Sequence, residues 1–159
     1  MPFHDLVVRR VCEPAGLSDT AFLRSDDPAE RVATGYLDEV GDRTNVLHLP
    51  VRGAGDGGIA STAADVRTLW TAVFDGRIVP LERVAEMVRP HGDAPEQERR
   101  YGLGFWLHPS TDAVMLTGYD AGVSFRSVYQ PADGSTYTVL SNTSEGAWPI
   151  AEAIEPLDW

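Results

Sequence analysis

Four sets of residues in this chain have types that could do chemistry. The run Gly53-Ala54-Gly55-Asp56-Gly57-Gly58 matches the fingerprint G-x-G-x-x-G letter for letter. That fingerprint cradles a pyrophosphate only where a strand precedes it, a helix opens inside the glycines and an acidic strand end follows about 20 residues on. Here Pro50 precedes it, the next helical stripe starts after Ser61, and a second helical stripe stands where the acidic strand belongs. The stretch therefore reads as a tight or flexible loop, and no cofactor is expected. Gly122-Val123-Ser124-Phe125-Arg126 lacks the last glycine of G-x-S-x-G, and it sits inside an apolar run rather than at a strand-to-helix turn, so Ser124 is not expected to be a nucleophile. His4, His48, His91 and His108 fall in four different segments with no H-x-x-x-H spacing, and no metal site is expected. A Ser-His-Asp triad needs its members to meet only in space, and nothing in the spacing points to one. Cys12 is alone, which rules out an intrachain disulfide and any thiolate metal cluster and leaves it as a small buried hydrophobe.

The thirteen Lys and Arg residues are all Arg. A chain without Lys offers no lysine base, Schiff-base former or phosphate hook of its own. The formal net charge is −11 and the pI about 4.6, which opposes binding to a phosphate backbone, so nucleic acid is not an expected partner. No apolar run approaches the roughly 20 residues that span a bilayer. Met1-Pro2-Phe3-His4-Asp5 is unlike the charged start of a signal peptide. The chain as given has no visible address, so its compartment is unknown from the sequence: cytoplasmic as given, with export open to a longer parent.

The elements that must position any site follow from periodicity. With 159 residues and 43% apolar content the chain fits one domain, residues 1–159. A helical stripe over Phe3 to Val11 is expected to stop at Pro14, and Gly35-Tyr36-Leu37 and Val46-Leu47-His48-Leu49 read as short strands. Thr62 or Ser61 caps a helix from Ala63 to Phe74, with Asp65 in a capping-box position, Val66, Leu69, Trp70 and Val73 on its apolar face, and Asp75-Gly76 as its end. Pro80 opens a second helix with the stripe Leu81, Val84, Met87 and Val88. His91 to Arg100 reads as a polar linker. Residues 1–100 are thus helices and loops, and residues 101–159 an antiparallel sheet with a closing helix, an α+β arrangement. The strands are Gly102 to Leu107, Ala113 to Leu116, Val123 to Tyr129 and Thr136 to Leu140, about four over roughly 101–142. Thr117 to Gly122 is the middle turn, Gln130-Pro131-Ala132-Asp133-Gly134 the last. A C-terminal helix over Ala147 to Ile154 packs Trp148, Ile150, Ala151 and Ile154 on the sheet. So thin a sheet reads as one that lacks strands.

Four stretches, in order and at matching spacing along nearly the whole chain, resemble the C-terminal part of the serine β-lactamase, D-alanyl-D-alanine carboxypeptidase and esterase superfamily, the penicillin-recognising serine hydrolases of class C-like pattern. Pro14-Ala15-Gly16-Leu17-Ser18-Asp19-Thr20 is similar to its P-L-G-M-x-D-T segment. Gly57-Gly58-Ile59-Ala60-Ser61-Thr62-Ala63-Ala64-Asp65 resembles G-G-L-x-S-T-x-x-D. Tyr101-Gly102-Leu103-Gly104-Phe105-Trp106 is similar to Y-G-L-G-W, and Val139-Leu140-Ser141-Asn142 to V-L-S-N.

The resemblance implies a partial β-lactamase-like fold, and it places the S-x-x-K nucleophile and the Y-x-N motif before the equivalent of Met1. It sets the third motif, K-T-G or H-x-G, at Leu116-Thr117-Gly118. In that family the backbone N–H just after the glycine serves as an oxyanion donor; here that is Tyr119, and Leu116, Thr117, Gly118, Tyr119 and Asp120 become the substrate-binding residues. Leu116 departs from the pattern, because an isobutyl group neither pairs with a carboxylate nor transfers a proton. The expectation is the C-terminal portion of a serine hydrolase acting on a β-lactam, a D-Ala peptide or an ester, without activity in isolation. Its expected partners are the parent's small-molecule or peptide substrate and either a second copy or a chain that supplies the N-terminal half. The competing reading is a non-catalytic module that binds a ligand or a protein.

Overall fold

The computed structural model describes residues 1–27, 31–38, 40–97 and 99–155. Six strands, β1 (Gly92–Ala94), β2 (Arg99–Tyr101), β3 (Trp106–Leu107), β4 (Val114–Asp120), β5 (Val123–Tyr129) and β6 (Thr136–Ser141), form one antiparallel meander in chain order. The helices are α1 (Phe3–Val7), α2 (Glu13–Ala15), α3 (Ala63–Phe74), α4 (Leu81–Met87) and α5 (Trp148–Ile154). The α+β class and the antiparallel sheet stand as the sequence indicates.

The sheet departs from the expected four strands in three ways. His91 to Arg100 is not a linker, because Gly92 pairs with Tyr101 and Ala94 with Arg99; β1 is the edge of the sheet and β2 the strand inside it, and both are too short and polar to carry an alternation that could be read. Gly102 to Phe105 lies outside the strand that begins at Trp106. The expected turn at Thr117 to Gly122 contracts to Ala121-Gly122, since β4 continues through Asp120 and pairs Asp120 with Val123. Gly122 takes a φ of +70° there, as a two-residue hairpin loop requires.

Alternation along the strands gives the sheet two covered faces. Val114, Phe105 and Leu107 pack under α3 and α4 against Val66, Trp70, Val73 and Val84, with Leu116 and Tyr129 at the margin. On the other face Ala113, Met115, Val128 and Tyr137 pack with Trp106 and Val139 of the sheet and with Ile154 of α5. Trp70 is 1% exposed, and its indole N–H donates to the buried Ser127 hydroxyl at 2.7 Å. Without that acceptor a buried indole would carry an unsatisfied donor, a cost of about 1–3 kcal/mol.

The helices follow their stripes with three corrections. The first helix does not stop at Pro14: α1 runs through a π-helical turn (Val8–Cys12) into α2, and Gly16 ends it with φ of +78°. Proline's fixed φ suits a helix, and its missing N–H falls where the π turn already disturbs the ladder. Leu81 and Ile150 are exposed because α4 and α5 bury narrower stripes, centred on Val84 and on Ala147 with Ala151. Residues 46 to 48 form a turn rather than a strand, while Tyr36 makes single bridges to Thr44 and Thr143.

Candidate active-site wall

The strand β4 carries the five residues the sequence singles out, and hydrogen bonding fixes which way each one looks. The Ala113 carbonyl accepts from the His108 N–H at 2.9 Å, on the β3 side, and the Gln130 N–H donates to the Ser135 carbonyl at 2.9 Å, on the β6 side. Backbone groups alternate from one side of a strand to the other. Both bonds therefore give the same result: Leu116, Gly118 and Asp120 direct N–H and C=O toward β5, and Thr117 and Tyr119 direct theirs the opposite way. On that opposite side β3 ends at the Trp106 to Met115 pair. The N–H groups of Thr117 and Tyr119 thus face an edge that no described strand covers.

The side chains alternate across the sheet in the other direction. Leu116 packs at the margin of the α3-side core, with no cation of its own to offer. Thr117 donates its hydroxyl to the Phe125 carbonyl at 3.2 Å. Tyr119 is 74% exposed and meets Trp148 edge-on at 6.4 Å. Asp120 is exposed and its Oδ1 accepts from the Ala121 N–H.

Three residues that the sequence did not reveal lock the end of this strand. Asn45, 5% exposed, donates its side-chain amide to the Ala121 carbonyl at 3.0 Å. Ser144 donates to the Asp120 carbonyl and accepts from the Gly122 N–H, each at 2.9 Å. Gly35 lies so close to Asn45 and Gly122 that any Cβ on it would collide. A single long-range contact has no period, so no sequence pattern marks it.

The remaining candidates resolve into structural roles. Ser124 is buried; its hydroxyl donates to the Thr143 carbonyl at 2.8 Å and accepts the Ala147 N–H at 3.1 Å, which spends it on the start of α5. The glycine run closes on itself through Ala54 and Gly57, and His4 Nε2 anchors it at the Gly53 carbonyl, 2.8 Å away. Thr62 caps α3 by accepting the Asp65 N–H at 3.1 Å. The Asp65 carboxylate does not reach back, as a capping box would have it; it accepts from the Asp19 N–H at 2.8 Å and the Thr20 hydroxyl at 2.7 Å. Among the described residues no three His, Cys, Asp or Glu side chains are grouped to hold a metal ion, and no helix is long and apolar enough to cross a membrane.

An antiparallel sheet between two helical layers, ending in an open strand edge with a L-T-G sequence, defines a β-lactamase-like domain half. Residues 1–155 match the Beta-lactamase family, and the chain belongs to that family. It is similar to a penicillin-binding protein from Bacillus halodurans, with 31% identity and a TM-score of 0.91 over 99% of this chain and 50% of that one. A D-stereospecific amidohydrolase from Streptomyces sp. shares the fold, at a TM-score of 0.72 and 21% identity over 91% of this chain and 45% of that one. A Bacillus subtilis (strain 168) protein named for penicillin binding, PbpX, is 25% identical over 114 residues, 69% of this chain and 27% of that protein. The chain spans half or less of the length of these relatives.

Proposed function

We propose that this chain forms the sheet-side wall of the acyl-transfer site of a β-lactamase-like serine hydrolase. Leu116, Thr117, Gly118, Tyr119 and Asp120 line the substrate, and the Tyr119 N–H is one of two donors to the oxyanion. What carries the reading is the outward direction of that N–H on an uncovered strand edge, since such a donor stabilises charge only where it is aimed at the developing oxygen. Hydroxyl nucleophile and lysine base are then supplied from outside this sequence, which holds no Lys. Leu116 gives the substrate's carboxylate nothing to pair with, so an ester or amide that does not rely on such an anchor suits the wall better than one that does.

One oxyanion donor is worth about 10²–10³ in rate, and only beside a reacting group. The purified chain is therefore expected to show neither burst nor turnover with nitrocefin or a p-nitrophenyl ester. A stoichiometric burst would overturn the reading, because it would require a nucleophile within these 159 residues.

A further inference from the structure

The sequence contains three Asp-Gly pairs, Asp56-Gly57, Asp75-Gly76 and Asp133-Gly134. Such a pair can rearrange with water as the only other reagent. The glycine amide nitrogen attacks the aspartyl Cγ, an N–Cγ bond forms, the hydroxyl of the carboxylic acid leaves with the amide proton as water, and a succinimide ring closes. Water then adds to one of the two ring carbonyls. Opening at Cγ restores aspartate, whereas opening at the main-chain carbonyl leaves isoaspartate, whose backbone runs through the side chain and is longer by one carbon. Glycine favours the attack because no Cβ crowds its nitrogen and its backbone turns freely. The three pairs share this chemistry, so the fold decides which of them reacts.

Two of the three nitrogens are held. The Gly76 N–H donates to the Val73 carbonyl at 3.0 Å at the end of α3, and the Gly134 N–H to the Gln130 carbonyl at 2.9 Å. Their aspartates are engaged as well: Asp75 faces Arg77 at 3.9 Å, and Asp133 Oδ1 accepts the Ser135 N–H at 2.8 Å. The Ser135 hydroxyl and N–H hold the Asp133 carboxyl below its usual value, which depletes the neutral acid that loses water. Asp56 differs at each point. Gly55 and Asp56 are the tip of a turn closed by the Ala54 N–H on the Gly57 carbonyl at 2.8 Å, while the return bond from the Gly57 N–H to the Ala54 carbonyl is 3.4 Å long, outside the usual range of roughly 2.7–3.2 Å. Both Asp56 and Gly57 are exposed, and the Asp56 carboxylate makes no hydrogen bond or ion pair among the described residues.

We propose that Asp56 is a site of spontaneous isomerisation in the folded chain, and that the product loosens the hold on α1. The turn stands on Gly53 and Gly58, packed so closely that a Cβ on Gly53 would collide with the backbone of Gly57 and Gly58. The Gly53 carbonyl is also where His4 Nε2 anchors α1, 2.8 Å away, and the Phe3 ring lies against Gly55. An extra main-chain carbon between Asp56 and Gly57 breaks the Ala54 to Gly57 register and displaces that foot. The freed α-carboxylate of isoaspartate then becomes a methyl acceptor for a carboxyl methyltransferase of the isoaspartate-repair class.

The test is incubation of the folded chain at neutral pH for weeks, followed by peptide mapping with mass spectrometry and by methyl transfer from labelled S-adenosylmethionine with a purified isoaspartyl methyltransferase. Isoaspartate is expected at residue 56 about tenfold or more faster than at 75 or 133, whose glycine nitrogens must first leave a hydrogen bond. In urea, where the fold no longer selects, the three rates should converge. Gly57→Ala, whose added Cβ meets nothing within 4 Å, should fold normally and isomerise severalfold more slowly at 56. NMR shifts between the fresh and the aged chain should reach His4 and Phe3. No isoaspartate at 56, equal or faster reaction at 75 or 133 in the folded chain, a bias that persists in urea, an unchanged rate in Gly57→Ala, or shifts confined to residues 55–57 would each overturn the proposal.

Discussion

Asn45 and Ala121, 76 positions apart, are joined by a side-chain amide to carbonyl hydrogen bond of 3.0 Å. This bond fixes the end of β4, and with it the direction of the Tyr119 N–H two residues earlier. Glycine closes the same joint from the other side, because a Cβ on Gly122 would stand 2.9 Å from the Tyr36 nitrogen and 3.0 Å from the Asn45 Cβ.

Asn45→Ala leaves the Ala121 carbonyl without its partner, and about 1–3 kcal/mol of stability should be lost. Gly122→Ala adds the left-handed backbone penalty of about 1–2 kcal/mol to a steric clash, and should cost at least as much. Urea denaturation of the two variants checks both values; a loss below about 0.5 kcal/mol in either would mean that the joint does not hold the strand.

Acid should weaken the fold through His108. Burial first, and Arg99 next, depress its pKa from the ordinary 6.5, so the unfolded chain takes up this proton before the folded one as pH falls. The contribution is present in full above pH 6.5 and is lost as pH drops through the lower folded value. Melting curves from pH 7.5 to 5 should show Tm falling, and His108→Gln should make that fall shallower. An unchanged slope in the variant would contradict the assignment.

The outer edge of β6 has no strand partner among the described residues, and Leu140 on it is 45% exposed. Such an edge templates pairing unless a charge blunts it. The native chain is expected to associate with increasing concentration in light scattering, and Leu140→Lys to shift it toward monomer. A native chain that is monomeric at all concentrations and melts cooperatively would favour the binding-module reading instead.

Legibility in the sequence followed the strength of the local pattern. The α3 helix could be read because Val66, Leu69, Trp70 and Val73 recur at helical spacing behind a Thr62 cap, and the β5–β6 hairpin because Pro131 and Gly134 punctuate two β-branched runs. The strands β1 and β2 hid because each is three residues long and Asp93, Arg99 and Arg100 are polar, so neither shows an apolar alternation. Thr117 to Asp120 looked like a turn since glycine and aspartate usually mark one, whereas Gly118 sits under the Phe125 ring, where a Cβ would be tight at 3.1 Å. Asp65 was half legible: its place after Thr62 suggested a cap, but its carboxylate serves Asp19 and Thr20, 46 and 45 positions away, a contact that only the fold makes.

Amide hydrogen exchange along β4 measures the central relationship directly. Leu116 and Gly118, bonded toward β5, should exchange slowly, and Thr117 and Tyr119, facing the open edge, should exchange orders of magnitude faster within the same strand. Slow exchange at Tyr119, or uniform protection from Leu116 to Tyr119, would mean that its N–H is already spent in the fold and is not available to an oxyanion.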